Sequence, residues 1–439
     1  MITTLGRDPS KTIPHALVAH RPMEPITTRG ALIDRLAAAA QWEHAITCQY
    51  LFAAFSLETR PQPGRITWPQ AERTRAWKAE LLLIARQEME HHGLVCNLLT
   101  AICGAPHFGH PRFPFVSAYV PEHPVFELRR FGPKTLARLV YYETVHDAGE
   151  SGAGESGALT VGGLYQQIRR GLLEVERRTP RLFMGRRAHQ VTNADLGLTP
   201  GHFDLDLRAV IDVRSAVAAI DRLLDNGHGA RLRAIEVELA ALRDQDPGFE
   251  PAHPVAPNPV LDRPEEGGPA EVSVVEHPVT RLAARLFGEA YQAMSLMLDR
   301  FHAPPSDQTP GERETLLGTA FFPLMTMVIR PLGEVLCQMP LRDEPEGPTA
   351  GPIFAYSRHL PSPPDKLAVW VYLHERLQEL AAASDHLAGR LPAIDAPWAR
   401  AVAPRLAFLA QGLARIAGSF ERGMGLRERY VQHMLERMR

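Results

Sequence analysis

The chain has 439 residues, 45% hydrophobic and 22% charged, which suits one large or two medium globular domains. Its net charge is -2 and it has no basic tract, so nucleic acid is excluded as an expected partner. The opening residues Met1-Ile2-Thr3-Thr4-Leu5-Gly6-Arg7-Asp8 lack a signal peptide's apolar region, and no run of about 18 apolar residues is evident. The expectation is a cytoplasmic protein with no membrane partner.

Residues 1–27 contain Pro and Thr without periodicity and read as an N-terminal arm. A long helix is predicted over 28–58, followed by the turn Arg60-Pro61-Gln62-Pro63-Gly64. A second long helix is predicted over 69–103 and stops at Gly104-Ala105-Pro106. Residues 106–133 hold many prolines and aromatics and read as an ordered loop. A short helix over 134–146 leads into the Gly-rich run 149–163, and helices follow over 162–177, 209–226 and 229–244. A Pro-rich linker is expected over 246–275, then a C-terminal helical extension over 276–439 with helices at 276–302, 311–338, 365–389 and a pair within 396–436. Strand-like alternation is scarce, so the class is all-α, with a bundle over 28–245. The four cysteines, Cys48, Cys96, Cys103 and Cys337, form no close pair and read as reduced thiols.

In the second helix, Trp77, Leu81, Ile84, Val95, Leu98 and Ile102 follow the spacing of a core-facing stripe. Glu88 and His91 fall on that stripe, one turn apart. In the first helix, Leu32, Leu36, Ala39, Ile46 and Tyr50 form a matching stripe, and Glu43 sits on it. A charge in such a position is costly unless it is paired or bound to a metal. One helix bearing Glu and another bearing Glu-x-x-His supply half the inward ligand set of a carboxylate-bridged di-iron bundle. His92 lies about 100° round the helix from His91 and is a weaker candidate. Glu90 reads as solvated, His44 as a packed neighbour of Glu43, and Tyr50 and Tyr165 as core aromatics.

The stretch Gln41-Trp42-Glu43-His44-Ala45-Ile46-Thr47-Cys48-Gln49-Tyr50 resembles the first helix of the ferritin-like domain in iminophenyl-pyruvate dimer synthases, the bisindole-forming enzymes of violacein- and rebeccamycin-type pathways. Ala85 through Gly104 is similar to that family's second helix. Pro111-Arg112-Phe113-Pro114 and Leu139-Val140-Tyr141-Tyr142-Glu143 are similar to its proline-rich loop and short Glu-ending helix. Phe249-Glu250-Pro251 through Pro259 and Thr349-Ala350-Gly351-Pro352-Ile353-Phe354 resemble its later segments, so the likeness spans about 28–390. The resemblance implies a ferritin-like four-helix bundle with an additional C-terminal helical region, and iron chemistry on a small amino-acid-derived substrate.

The second half of the ligand set departs from the family. Gly163, in Val161-Gly162-Gly163-Leu164-Tyr165, stands where the family carries a Glu. Near the fourth helix the chain reads Asn226-Gly227-His228-Gly229, so His228 either replaces a family Glu or takes the place of a family His. The expected ligands are Glu43, Glu88, His91 and His228, with Glu43, Glu88 and His91 also carrying the catalysis. Glu143 and Asp221 are weaker candidates with His92, and Glu174, His146 and Asp147 are further local substitutes. Asp221 shares the stripe Val217, Asp221, Leu224, His228. Two carboxylates offset one metal ion better than two, so one iron ion is expected rather than two, or none. The expected function is a non-haem iron oxidoreductase of specialised metabolism performing oxidation or oxidative coupling, with a homodimer left open. The alternative is a metal-free ferritin-like protein with a binding, structural or acid–base role.

Overall fold

The computed structural model describes residues 25–109, 112–117, 126–143, 161–179, 181–196, 206–224, 227–263, 271–304, 307–344, 346–354 and 365–437. Most of the N-terminal arm, the Gly-rich run up to 160, and His146 and Asp147 lie outside the described residues.

The chain is mostly helical. Helix α1 (Arg29–Ser56) starts where the Thr28 hydroxyl accepts the Ala31 N–H. Helix α2 (Trp68–Ala101) starts with a capping box of Thr67 and Gln70 and a proline in its first turn. The two pack along their lengths, with Leu32, Leu36, Ala39, Leu81, Ile84, Val95 and Leu98 all at 0–1% exposure. The pairing follows from the two apolar stripes, and it brings the polar residues set within them into register.

Four shorter helices complete the bundle: α3 (Pro133–Glu143), α4 (Val161–Arg178), α5 (Val213–Leu224) and α6 (His228–Gln245). Helix α4 packs on α1 and α5, while α3 packs on α6. The Trp77 indole of α2 donates to Glu238 of α6 at 2.8 Å, tying the long pair to the last bundle helix. Between α5 and α6, Gly227 has a φ of 68°, a left-handed conformation that favours glycine and resets the chain direction just before His228.

The segment after α6 is built into the fold rather than standing clear of it. Phe249, Ala252 and Val255 are buried. The His253 N–H donates to the Ser56 carbonyl at 2.9 Å, and the Ala256 N–H to the Thr349 carbonyl at 2.9 Å. A short parallel pair, β1 (Pro259–Val260) and β2 (Ser273–Val274), is the only sheet among the described residues.

The C-terminal region comprises α7 (Pro278–His302), α8 (Pro310–Leu336), α9 (Lys366–Arg390), α10 (Pro397–Gly423) and α11 (Leu426–Arg437). Helix α8 turns π-helical over Thr315–Phe321 and again over Met325–Ile329. By length and composition α8 could cross a membrane, which corrects the expectation that no such run exists; half of its apolar stretch is buried inside the protein. It reaches the bundle at Gly333, where a Cβ would meet Phe55 Cδ2 of α1 at 2.5 Å. Only a residue without a side chain lets the two helices come this close.

Candidate metal centre

Because α1 and α2 lie side by side, the polar residues on their facing stripes meet. Glu43 Oε2 of α1 lies 3.7 Å from His91 Nδ1 of α2. The same Nδ1 lies 3.3 Å from Oε2 of Glu88, one turn earlier. The other oxygen of Glu88, Oε1, lies 2.9 Å from Nδ1 of His228, the first residue of α6. That nitrogen is 3.6 Å from Oε1 of Glu143, the last residue of α3. The rings of His91 and His228 stack with centroids 5.5 Å apart.

Two triads result, Glu43–Glu88–His91 and Glu88–Glu143–His228, and within each the ligating atoms lie within 4.8 Å of one another. Glu88 belongs to both and turns one oxygen to each. All five side chains are buried. Two phenols complete the shell: Tyr165 of α4 donates to Glu43 Oε1, and Tyr50 of α1 donates to Glu143 Oε1 at 2.9 Å. Burial, together with the adjacent carboxylates, pushes both phenols well above their usual range, so they stay protonated donors.

The charges are strongly coupled. Burial, with the Glu88 charge adding to it, pushes the Glu43 carboxyl up to about 8. Burial acts on Glu88 in the same sense, but the imidazoles of His91 and His228 outweigh it and hold Glu88 well below the usual carboxylate range. Burial would lower both histidines; Glu88 and Glu43 instead raise His91 well above its usual value. Glu143 and Glu88 likewise raise His228 to about 9. Without metal, then, protons sit on the imidazole nitrogens that face the carboxylates. A cation held by either triad would take the place of such a proton, since histidine ligates in its neutral form.

The residues fit a metal. Glu43 Oε2 is buried without a hydrogen-bond partner, a costly state that a cation relieves. Carboxylate oxygens mixed with imidazole nitrogens suit iron, manganese or zinc. Glu143 changes the charge count: three carboxylates face two imidazoles, where the sequence reading counted Glu43 and Glu88 alone.

The other candidates fall elsewhere. His92 is outside both triads; its Nε2 meets the His107 carbonyl at 2.8 Å, and burial lowers it to about 4. Asp221 is also outside, with a side chain 55% exposed and paired to Arg169 at 3.1 Å. Glu174 pairs with Arg177 and Arg178 on the surface. Glu90, read as solvated, is buried and paired with Arg222 at 3.3 Å. His44 holds the Phe108 carbonyl at 2.8 Å on Nδ1 and the Tyr291 hydroxyl on Nε2. The carboxylate missing at Gly163 is not restored on α4, which supplies Tyr165 two residues further on. Sequence reasoning missed the roles of Tyr50 and Tyr165. The signal for Tyr50 was its place two turns from Glu43 on the same stripe.

Residues 36–253 match the Ferritin-like family. Dichlorochromopyrrolate synthase of Lentzea aerocolonigenes is 29% identical over 382 residues, covering 75% of this chain and 36% of that protein. The 2-imino-3-(indol-3-yl)propanoate dimerase of Chromobacterium violaceum is 28% identical over 368 residues, covering 74% of this chain and 34% of that protein. The chain thus spans about a third of the length of the curated relatives it matches. The crystal structure of a ferritin-like protein from Caulobacter vibrioides aligns with a TM-score of 0.44 at 16% identity, over 76% of this chain and 100% of that one.

Proposed function

We infer that this chain, whose residues 36–253 belong to the Ferritin-like family, is a non-haem metal oxidoreductase of specialised metabolism that holds two iron ions. The observation that carries the reading is Glu88, which turns one oxygen into each of two buried His–carboxylate triads. Glu43, Glu88 and His91 would hold one ion, and Glu88, Glu143 and His228 the other. Bound there, the ions supply Lewis acidity and redox capacity.

The protein's own groups do the rest. Tyr165 holds Glu43 by Oε1 and leaves Oε2 turned toward His91. Tyr50 fixes Glu143 at the end of α3. Burial keeps bulk water away, which strengthens every charge interaction in the centre. Two relatives named for a chromopyrrolate and for an indolyl imino acid dimer support a small, amino-acid-derived substrate and a coupling reaction, and the redox capacity of the ions would make that reaction an oxidation or oxidative coupling.

The test is metal analysis of protein purified without chelator, followed by melting with and without EDTA. About two ions per chain are expected, and a lower melting temperature after EDTA, because a ligand that binds only the native state stabilises it. Absence of bound iron, manganese and zinc, with no thermal response to iron(II) added without oxygen, would overturn the reading. A metal-free acid–base or binding role would then take its place.

A further inference from the structure

Beside the triads, α2 and α6 meet through a second set of polar groups that none of the ligand assignments uses. Gln87, the residue before Glu88, places Oε1 3.1 Å from His228 Nε2. Arg231, one turn after His228, donates through Nη1 to that same oxygen at 3.0 Å. Arg231 Nε in turn lies 3.5 Å from Oε1 of Glu80, two turns before Gln87 on α2. The guanidinium is therefore held between two residues of one α2 face.

This arrangement fixes hydrogen positions by elimination. A guanidinium only donates, so the Gln87 atom facing Arg231 is the amide oxygen and not the amino group. An amide oxygen only accepts, so His228 Nε2 carries a proton. When the imidazole is neutral, as a ligand must be, its lone pair is on Nδ1. That atom is the one 2.9 Å from Glu88 and 3.6 Å from Glu143.

We propose that Gln87 and Arg231 are positioning residues that fix the tautomer and ring orientation of His228, so that Nδ1 is presented to the ion of the second triad. The inference rests on the metal reading given above. Arg231 acts at one remove: without it the Gln87 amide is free to turn its amino group to His228, which would favour the wrong tautomer. Among the described residues the Gln87 and Arg231 side chains contact His228, Glu80 and each other rather than Glu43 or His91, so the ion of the Glu43–Glu88–His91 triad serves as an internal reference.

The experiment titrates EDTA-stripped protein with cobalt(II) against a competing chelator, and measures urea unfolding in EDTA alongside. Gln87→Leu and Arg231→Leu should weaken one of the two ions about ten- to a hundredfold and leave the other unchanged. Gln87→Glu should keep wild-type affinity, because a carboxylate also accepts from Nε2–H and from Arg231. A tie that merely joins α2 to α6 would shift the urea midpoint of the leucine variants without separating the two affinities. Wild-type affinity for both ions in Gln87→Leu sinks this inference alone. A wild-type protein that binds no cobalt sinks the metal reading and this inference together.

Discussion

Glu88 Oε1 lies 2.9 Å from His228 Nδ1, joining the middle of one long helix to the first residue of another that lies far along the chain. This contact makes Glu88 a member of two triads at once, and it separates Glu88 from the other carboxylates in what its loss should do.

Replacing Glu88 by Ala should therefore abolish both ions, whereas Glu43→Ala and Glu143→Ala should each leave one. Metal per chain, measured on folded protein after desalting, checks this. Equal loss in all three variants would show that the triads do not act as separate sites.

Tyr165→Phe removes the hydroxyl that donates to Glu43, whose second oxygen is already without a hydrogen bond. In EDTA the variant should lose about 1–3 kcal/mol in urea unfolding, the cost of leaving a buried polar group unsatisfied. An unchanged midpoint would mean that the phenol does not hold the carboxylate.

Gly333→Ala should destabilise the protein by about 1–3 kcal/mol, because the added carbon meets the Phe55 ring. Phe55→Leu in the same chain should recover part of that loss. Thermal melts of the two single variants and the double variant close the cycle, and strict additivity would place the strain elsewhere.

His302 is buried beside the Phe108 ring, and burial, followed by the His92 and Arg313 charges, lowers it from 6.5 to about 3. Below about pH 6.5 the unfolded chain takes up a proton there that the folded chain refuses until about 3, so stability is full above the upper value and falls as pH drops. The loss from this group should reach roughly 3 kcal/mol near pH 4.5. His302→Phe should flatten the pH dependence of the urea midpoint by that amount. Parallel curves for variant and wild type would refute the assignment.

The periodicity of α1 and α2 made the first triad legible. Glu43 interrupts an apolar stripe between Ala39 and Ile46, and Glu88 and His91 do the same between Ile84 and Val95. The second triad was harder to read. Glu143 is the last described residue of α3, and its meeting with His228 depends on how α3 packs on α6. The stripe Val217, Asp221, Leu224, His228 crosses the break between the helices expected over 209–226 and 229–244. The left-handed Gly227 breaks the helical path just before His228, so the seven-residue spacing from Asp221 carries no facial meaning. Gln87 and Arg231 could not be paired from sequence, since their contact depends on how α2 and α6 cross.

The order of the ligands along the chain sets how local each triad is. Glu43, Glu88 and His91 all belong to the first two helices, so the first triad is closed within one helical hairpin. The second triad needs α3 and α6 as well. The first triad is thus a short-range feature of one helical hairpin, while the second is closed only by contacts between distant parts of the chain.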